Sequence, residues 1–257
     1  MSGVAMAVSD ALVVTRRNLL RIPRAPDLVL AFTVQPIMFV LLFVYVFGGA
    51  IRTPGYDYVD YLIPGIVVQT MAFGGFVTAI SLSEDLRKGL IDRFRSLPMA
   101  RSAVLAGRTT ADIATNLVAL GVMISVGLLV GFSFGSSALE VVAGCLLMLL
   151  FGHAFSWIFA FLGLTASSPE SAQSLGFIAI FPLTFASSAF VPVESMPAGL
   201  EAFARVNPFT TAVDAMRALF LGAPAGDDVW GAVAWSVGLI VVFSALSVWR
   251  YRRAVGA

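Results

Sequence analysis

The chain has 257 residues, of which 59% are hydrophobic and only 12% charged, with a net charge of +1. A soluble domain carries about twice that share of charge, and a mean hydropathy of +0.93 also excludes that class. The net charge gives no reason to expect a nucleic-acid partner. Cys145 and His153 are each the only residue of their type, so a disulfide framework or a cysteine or paired-histidine metal site within one chain is excluded. The composition is that of an all-α polytopic membrane protein.

Residues 4–22 place Val8, Ala11, Leu12, Leu19 and Ile22 near helical spacing, with Arg16, Arg17 and Arg21 between them. This pattern predicts an amphipathic helix lying on the membrane surface within an N-terminal segment 1–26, ended by Pro23 and Pro26. The first ten residues lack a charged stretch followed by an apolar core and cleavage site, so no cleaved signal peptide is expected. A helical span needs roughly 20 apolar residues. Windows of that kind predict six spans at 28–50, 61–82, 109–131, 140–165, 172–193 and 229–249, within one domain 28–250 followed by a tail 251–257.

Six spans put both termini on one side. The N-terminus, the stretch 83–108 and the C-terminal "RYRR" hold thirteen of the sixteen Lys and Arg residues; Arg52, Arg205 and Arg217 fall on the other side. The positive-inside rule therefore places both termini and the 83–108 stretch in the cytoplasm of a cell whose inner (plasma) membrane the chain crosses.

The stretch "SEDLRKGLIDRFRSLP" carries an unusual share of the charge. Ser83 followed by Glu84 and Asp85 reads as the start of a new helix, with acids near the positive end of its dipole. Leu86, Leu90, Phe94 and Leu97 then form one apolar stripe, which Pro98 terminates. Such a helix suits anionic lipid. Its mixed acidic and basic flanks suit a protein partner better.

Polar residues inside the spans are few. Asp112 falls about one turn from the end of its span and reads as a helix-end group near Arg108. Gln35, Gln69, Asn116 and His153 fit either helix packing or a substrate pathway. "GFSFG" (131–135) spells a nucleophile-elbow pattern, which works only on a strand-to-helix turn with a histidine and an acid at hand. Here it ends a predicted span. Gly127 and Gly131 form a GxxxG pair suited to close helix packing, and no catalytic residue is assigned. Gly74-Gly75, Pro36, Pro64 and Pro182 are positions where spans can kink or simply keep a static geometry.

Residues 194–228 are not a plain loop. Met196, Leu200, Phe203 and Val206, then Phe209, Val213, Met216 and Leu219 with Phe220, follow helical spacing on either side of Asn207-Pro208. Each piece is too short to span, which predicts a re-entrant outer helical pair, the alternative being two helices resting on the outer surface.

No lysine sits in a P-loop, since the chain's single lysine, Lys88, lacks the glycine-rich run that cradles phosphates. Glu84-Asp85, Arg87-Lys88-Gly89, Asp92-Arg93 and Ser96-Leu97-Pro98, together with "FPLTFASSAFVPVESMP" (181–197) and "NPFTTAVDAMRALFLG" (207–222), resemble the signatures of type-2 ABC exporter permeases of the daunorubicin-resistance type. Leu90 departs from the threonine common in that family.

The resemblance covers the whole chain. It implies a membrane subunit, not an enzyme, that exports a hydrophobic small molecule or lipid. It would pair with a second identical or related permease and with separate ATPase subunits that bind ATP and Mg. It also implies that Glu84, Asp85, Arg87, Lys88, Gly89, Leu90, Asp92, Arg93, Phe94 and Pro98 form the coupling helix that docks on the ATPase. The turn 165–173 and the N-terminal helix would make smaller contacts. The competing readings are a stand-alone secondary carrier, which needs a buried titratable relay, and an intramembrane hydrolase using Ser133 and His153.

Overall fold

The computed structural model describes residues 15, 26–49, 51, 53, 55–88, 101–224 and 226–256. Among these, every regular element is helical: α1 (Pro26–Leu42) with a π-helical turn (Phe43–Phe47), α2 (Tyr58–Phe73), α3 (Phe76–Arg87), α4 (Arg101–Leu129), α5 (Ala138–Thr165), α6 (Pro169–Phe185), α7 (Ala198–Val206), α8 (Pro208–Leu221) and α9 (Asp228–Gly256). Within an apolar slab every backbone amide must bond inside its own segment, and helices meet that demand.

Among the described residues, four stretches are long and apolar enough to cross a membrane: Tyr58–Arg87, Leu105–Leu129, Ala138–Thr165 and Asp228–Arg253. The first joins α2 and α3 across Gly74-Gly75. A shorter apolar stretch, Val34–Phe47, corresponds to the first expected span. The fifth expected span is cut short because α6 stops at Phe185. Residues 186–190 leave the helix and yet are all buried, because side chains from α8 and α2 take up their backbone groups.

Helix α5 is the axis of the molecule and packs against α2, α3, α4, α8 and α9. Its glycines allow the close approach. A Cβ on Gly163 would lie 2.5 Å from the Ala79 carbonyl oxygen of α3, and one on Gly144 would lie 2.8 Å from the Phe220 ring of α8. Small residues at helix crossings do this work in membranes, where lipid is as apolar as leucine and adds no hydrophobic drive. Phe151 and Phe155 of α5 meet Phe209 of α8 edge-on, and α8 buries its whole apolar face, including Val213, Met216 and Phe220. In α7 the matching residues Leu200, Phe203 and Val206 stay exposed. The expected helical pair is thus present, one member inserted among the other helices and one at the rim.

Two expectations are corrected here. Ser83 does not begin a helix. Helix α3 runs through it without interruption, and Ser83 is 1% exposed inside the bundle with Glu84 and Asp85 in the closing turn. Nothing between Ala79 and Arg87 breaks the backbone ladder, so the buried face of α3 overrides the local capping signal. The GxxxG reading also fails at one end. Gly127 packs on Ile63, whereas Gly131 has nothing near its Cα and adopts φ +105° as α4 ends. There the chain needs a glycine for its conformation.

Gly89, Leu90, Asp92, Arg93, Phe94 and Pro98, and the N-terminal helix apart from Thr15, lie outside the described residues. The Thr15 hydroxyl donates to the Gly107 carbonyl of α4 at 2.9 Å.

Gly163→Ala should force α5 away from the α3 backbone at a cost of about 1–3 kcal/mol. Its thermal midpoint in detergent, followed by size-exclusion chromatography after heating, should fall. Gly238→Ala, at a helix position with open space, should leave that midpoint unlowered or raise it slightly.

Candidate functional site

Three polar clusters interrupt the apolar body. The first lies at the charged end of α3 and α4. Arg108, Asp112 and Asn116 recur every fourth residue and so share one face of α4. They meet α3 and its junction with α2 in antiparallel order. Arg108 pairs with Asp85 at 3.3 Å, and the Thr78 hydroxyl donates to Asp112 at 2.7 and 3.0 Å. Asn116 fits against Gly74, where a Cβ would overlap its Oδ1. Asp112 is 8% exposed, so its partner comes from a neighbouring helix and it is not the simple helix-end group the sequence suggested.

Around this ladder stand the charged-end residues. Lys88 bonds Glu84 at 3.0 Å, both well exposed, and Arg87 is exposed beside the start of α6. There Ser168 caps α6 by accepting from the Ser171 amide. A hydrogen bond from Ser168, the first-turn backbone and the nearby charge of Arg87 hold exposed Glu170 below the usual carboxylate range. The structure therefore brings the end of α3 and the 165–173 turn together on one face.

The second cluster is a cleft between α1, α2 and α4. Gln35, Gln69 and Asn116, three of the four residues singled out in the spans, line it with Thr70, Thr115 and Phe73. It encloses about 50 Å³, which admits one or two waters or a single functional group. A bound drug-sized molecule needs roughly 300 Å³ or more. Gln35 is exposed on α1, Gln69 is buried, and Asn116 is 1% exposed with no acceptor for its Nδ2.

His153 stands apart from the cleft. Its Nδ1 bonds the Thr109 carbonyl at 3.2 Å, and its Nε2 accepts from the Trp157 indole at 3.2 Å. Those two bonds fix the tautomer with the proton on Nδ1. Ser133 sits past the other end of α4, its amide bonded to Asp60 at 3.1 Å. Thr109 and Ser133 are separated by most of a helix that rises about 1.5 Å per residue, so no serine–histidine pair forms.

The third cluster was not legible as a site. In the sequence Arg217 stands out only as one of three basic residues on the side opposite the termini. In the structure it is 6% exposed and saturated: it donates to the Tyr61 carbonyl (3.2 and 3.0 Å), the Ser188 carbonyl (2.7 Å) and Asp214 (2.8 Å), with its guanidinium 3.5 Å over the Tyr61 ring. The Tyr61 hydroxyl and the Ser188 hydroxyl complete the set, donating to the Ser188 carbonyl and Asp214. Asn207 works beside it. Its Nδ2 donates to the carbonyls of Leu183 and Ala186 at the end of α6, and its Oδ1 caps α8 by accepting from the Phe209 amide. The only sequence signal was an arginine within an apolar helical stripe, which in a membrane setting marks a partnered, inward-facing charge.

A bundle of apolar helices stitched by inward-facing polar groups, with a charged ledge at one end, defines a multi-pass membrane protein. The family model described as ABC-2 type transporter matches residues 10–221. The chain is 37% identical to the daunorubicin resistance ABC transporter permease protein DrrB1 of Streptomyces coeruleorubidus, over 96% of this chain and 88% of that one. Two Mycobacterium tuberculosis permeases whose names cite doxorubicin resistance are also similar: DrrC, 26% identical over 98% of this chain and 92% of its own, and DrrB, 27% identical over 74% and 65%. The chain belongs to the ABC-2 type transporter family and is a permease subunit of an ABC transporter, not an enzyme; permeases of this family work with an ATPase partner.

Arg217→Leu removes the bonds to the Tyr61 and Ser188 carbonyls and leaves Asp214 without its ion pair, and should lower stability by about 3 kcal/mol. Arg217→Lys should recover little of that, since an ammonium cannot reach the same acceptors as a planar fork. Denaturant or thermal unfolding of the purified protein measures both.

Proposed function

We propose that this permease exports a hydrophobic, drug-like or lipidic compound, driven by ATP that a separate ATPase subunit binds with Mg and hydrolyses. The relatives' names, which cite resistance to daunorubicin and doxorubicin, support a drug-like cargo. The observation that carries the reading is the continuity of α3. A helix buried along one face, from Phe76 to Ser83, emerges with Glu84, Asp85, Arg87 and Lys88 in its last turn and the following residue, next to the α6 turn.

A push on that ledge is delivered to the buried bundle through a single rigid element. Residues 84–98 would be the coupling segment, with the 165–173 turn as a smaller contact. The Thr15 bond to Gly107 supports a further contribution from the N-terminal segment.

Under this reading the charged end faces the cytoplasm, and the protein lies in the plasma membrane with both termini inside. Six crossings result if α1 with its π-helical turn, and α6 with the buried 186–190 segment, complete the two short spans. The 17 residues of α6 cover about 25 Å at 1.5 Å each, short of a hydrocarbon core of about 30 Å. The buried face of α8 favours a re-entrant arrangement of the outer pair over one resting on the surface. A second permease, identical or related, would complete the pathway.

Gln35, Gln69 and Asn116 would line part of that pathway, and the reading does not need His153 there. At its present size the cleft is closed to a whole cargo molecule, so transport requires α1, α2 and α4 to separate.

Co-expression with the flanking genes, followed by affinity purification of the permease, should recover an ATPase subunit. Changing Arg87, Lys88 and Phe94 together to Ala should remove it from the eluate. Recovery of the permease alone across gentle detergents and nucleotide states would instead favour a stand-alone carrier. Gly89→Pro, which disrupts a helix by about 3 kcal/mol or more, should abolish ATP-driven flux in vesicles. Undiminished flux after Ala replacement of Gln35, Gln69 and Asn116 would remove the pathway assignment.

A further inference from the structure

Helices α2 and α3 lie on one continuous membrane-crossing stretch that is interrupted only at Gly74-Gly75. Both glycines keep right-handed helical angles, and the Gly74 amide still reaches the Thr70 carbonyl at 3.1 Å. The regular helix is therefore interrupted there without the backbone leaving helical conformation. Each arm is fastened to a different part of the molecule. On the α2 side, Tyr61 is held by Arg217 of α8, and Gly65 lets the Ala189 backbone approach so closely that a Cβ would overlap the Ala189 carbonyl. On the α3 side, Thr78 and Asp85 are tied to Asp112 and Arg108 of α4, and Ala79 rests on Gly163 of α5.

Asn116 sits at the junction. Its carboxamide occupies a notch that exists only because two glycines lack side chains. A Cβ on Gly74 would overlap Oδ1, and one on Gly152 of α5 would lie 2.5 Å from Nδ2. The Met71 carbonyl, in the last turn of α2, borders the same notch, 3.2 Å from that Gly152 position. Yet Nδ2 makes no hydrogen bond, although it is fully enclosed. A buried amide without an acceptor is disfavoured in water-free surroundings, and a hydrophobic residue of the same size would fit without that penalty.

We infer that Gly74-Gly75 is a hinge between the two arms and that the Asn116 carboxamide is the wedge that sets its angle. In the described conformation the wedge is seated but unsatisfied. A change of hinge angle moves the carbonyls of the last α2 turn relative to Nδ2 and gives it an acceptor, so the amide biases the equilibrium away from this conformation. Asn116 acts as a positioning residue, through backbone and hinge. The coupling of this motion to ATP rests on the export reading above. The hinge itself does not.

The test uses the full-length permease in lipid nanodiscs, in a Cys145→Ser background. Spin labels are placed at Tyr56 and Lys88, exposed positions beyond the two ends of the stretch, and labelled copies are diluted into unlabelled ones. Asn116→Leu, which fills the notch without an unmet donor, should narrow the distance distribution around one value. Gly74→Ala should shift its mean by about 2 Å or more, the scale of helix displacements in switching proteins. Adding Asn116→Ala to Gly74→Ala should return the mean to the wild-type value, because the overlap is gone, while the distribution stays narrow because the unmet amide is gone as well. The narrowing, seen in Asn116→Leu and kept in the double variant, is the readout a merely structural role would not give.

Superimposable distributions in all variants, or a Gly74→Ala shift that Asn116→Ala leaves in place, overturn the hinge. With the ATPase partner bound, ATP should move the same distance. A complex that forms and hydrolyses ATP with that distance fixed overturns the hinge while the export reading stands. Because Lys88 belongs to the proposed dock, only failure of the unlabelled permease to form any complex removes the export reading, and the variants in the permease alone still decide the hinge.

Discussion

The fold depends on the contact between α4 and α3, where three polar side chains at four-residue spacing face a helix that must otherwise be apolar. In hydrocarbon an unpaired charge or carboxylate is disfavoured by several kcal/mol, so Arg108 and Asp112 specify both the partner helix and its register. A one-residue slip of α3 would separate Thr78 from Asp112 and Asp85 from Arg108 together. Apolar contacts alone would not do this, because a leucine gains little by leaving lipid for protein. The third member of the series, Asn116, has glycines opposite it where the others have partners, and that difference makes the junction at Gly74-Gly75 unlike the rest of the seam.

At the opposite end the same physics is applied to backbone. Helix α6 stops early and its continuation, residues 186–190, is buried without regular structure. Such a segment is tolerated at membrane depth only where protein groups satisfy its carbonyls. Arg217, Asn207 and Tyr61 supply them, and in doing so they dock α8 between α2 and α5. The glycines of α5 then bring the surrounding helices within backbone contact. The molecule is held by polar stitches at both ends and by close packing of small residues along its axis, a division expected where the hydrophobic effect between helices is absent.

The amides of Gln35, Gln69 and Asn116 were legible as unusual residues within apolar runs, and they converge on one cleft. His153 carried the same signal and went elsewhere, to Thr109 and Trp157. A polar residue in a span announces that it needs a partner; only the helix packing decides whether that partner is a cavity, a carbonyl or an indole. Arg217 shows the reverse. Its importance lies in backbone acceptors more than a hundred residues away in Tyr61, which no local pattern encodes. Ser83 followed by two acids was a sound local capping signal that the burial of α3 overrode.

The sequence by itself determined the membrane class, the long apolar helices to within a few residues, the helical pair around Asn207-Pro208 and the family, because these depend on composition, local hydrogen bonding and motif spelling. Only the tertiary structure decided which face of each helix meets protein and which meets lipid. In water the two faces differ in polarity and betray themselves by periodicity. In a bilayer both are apolar, so burial leaves almost no trace in the sequence, and the few polar side chains reveal their roles only when their partners are in place.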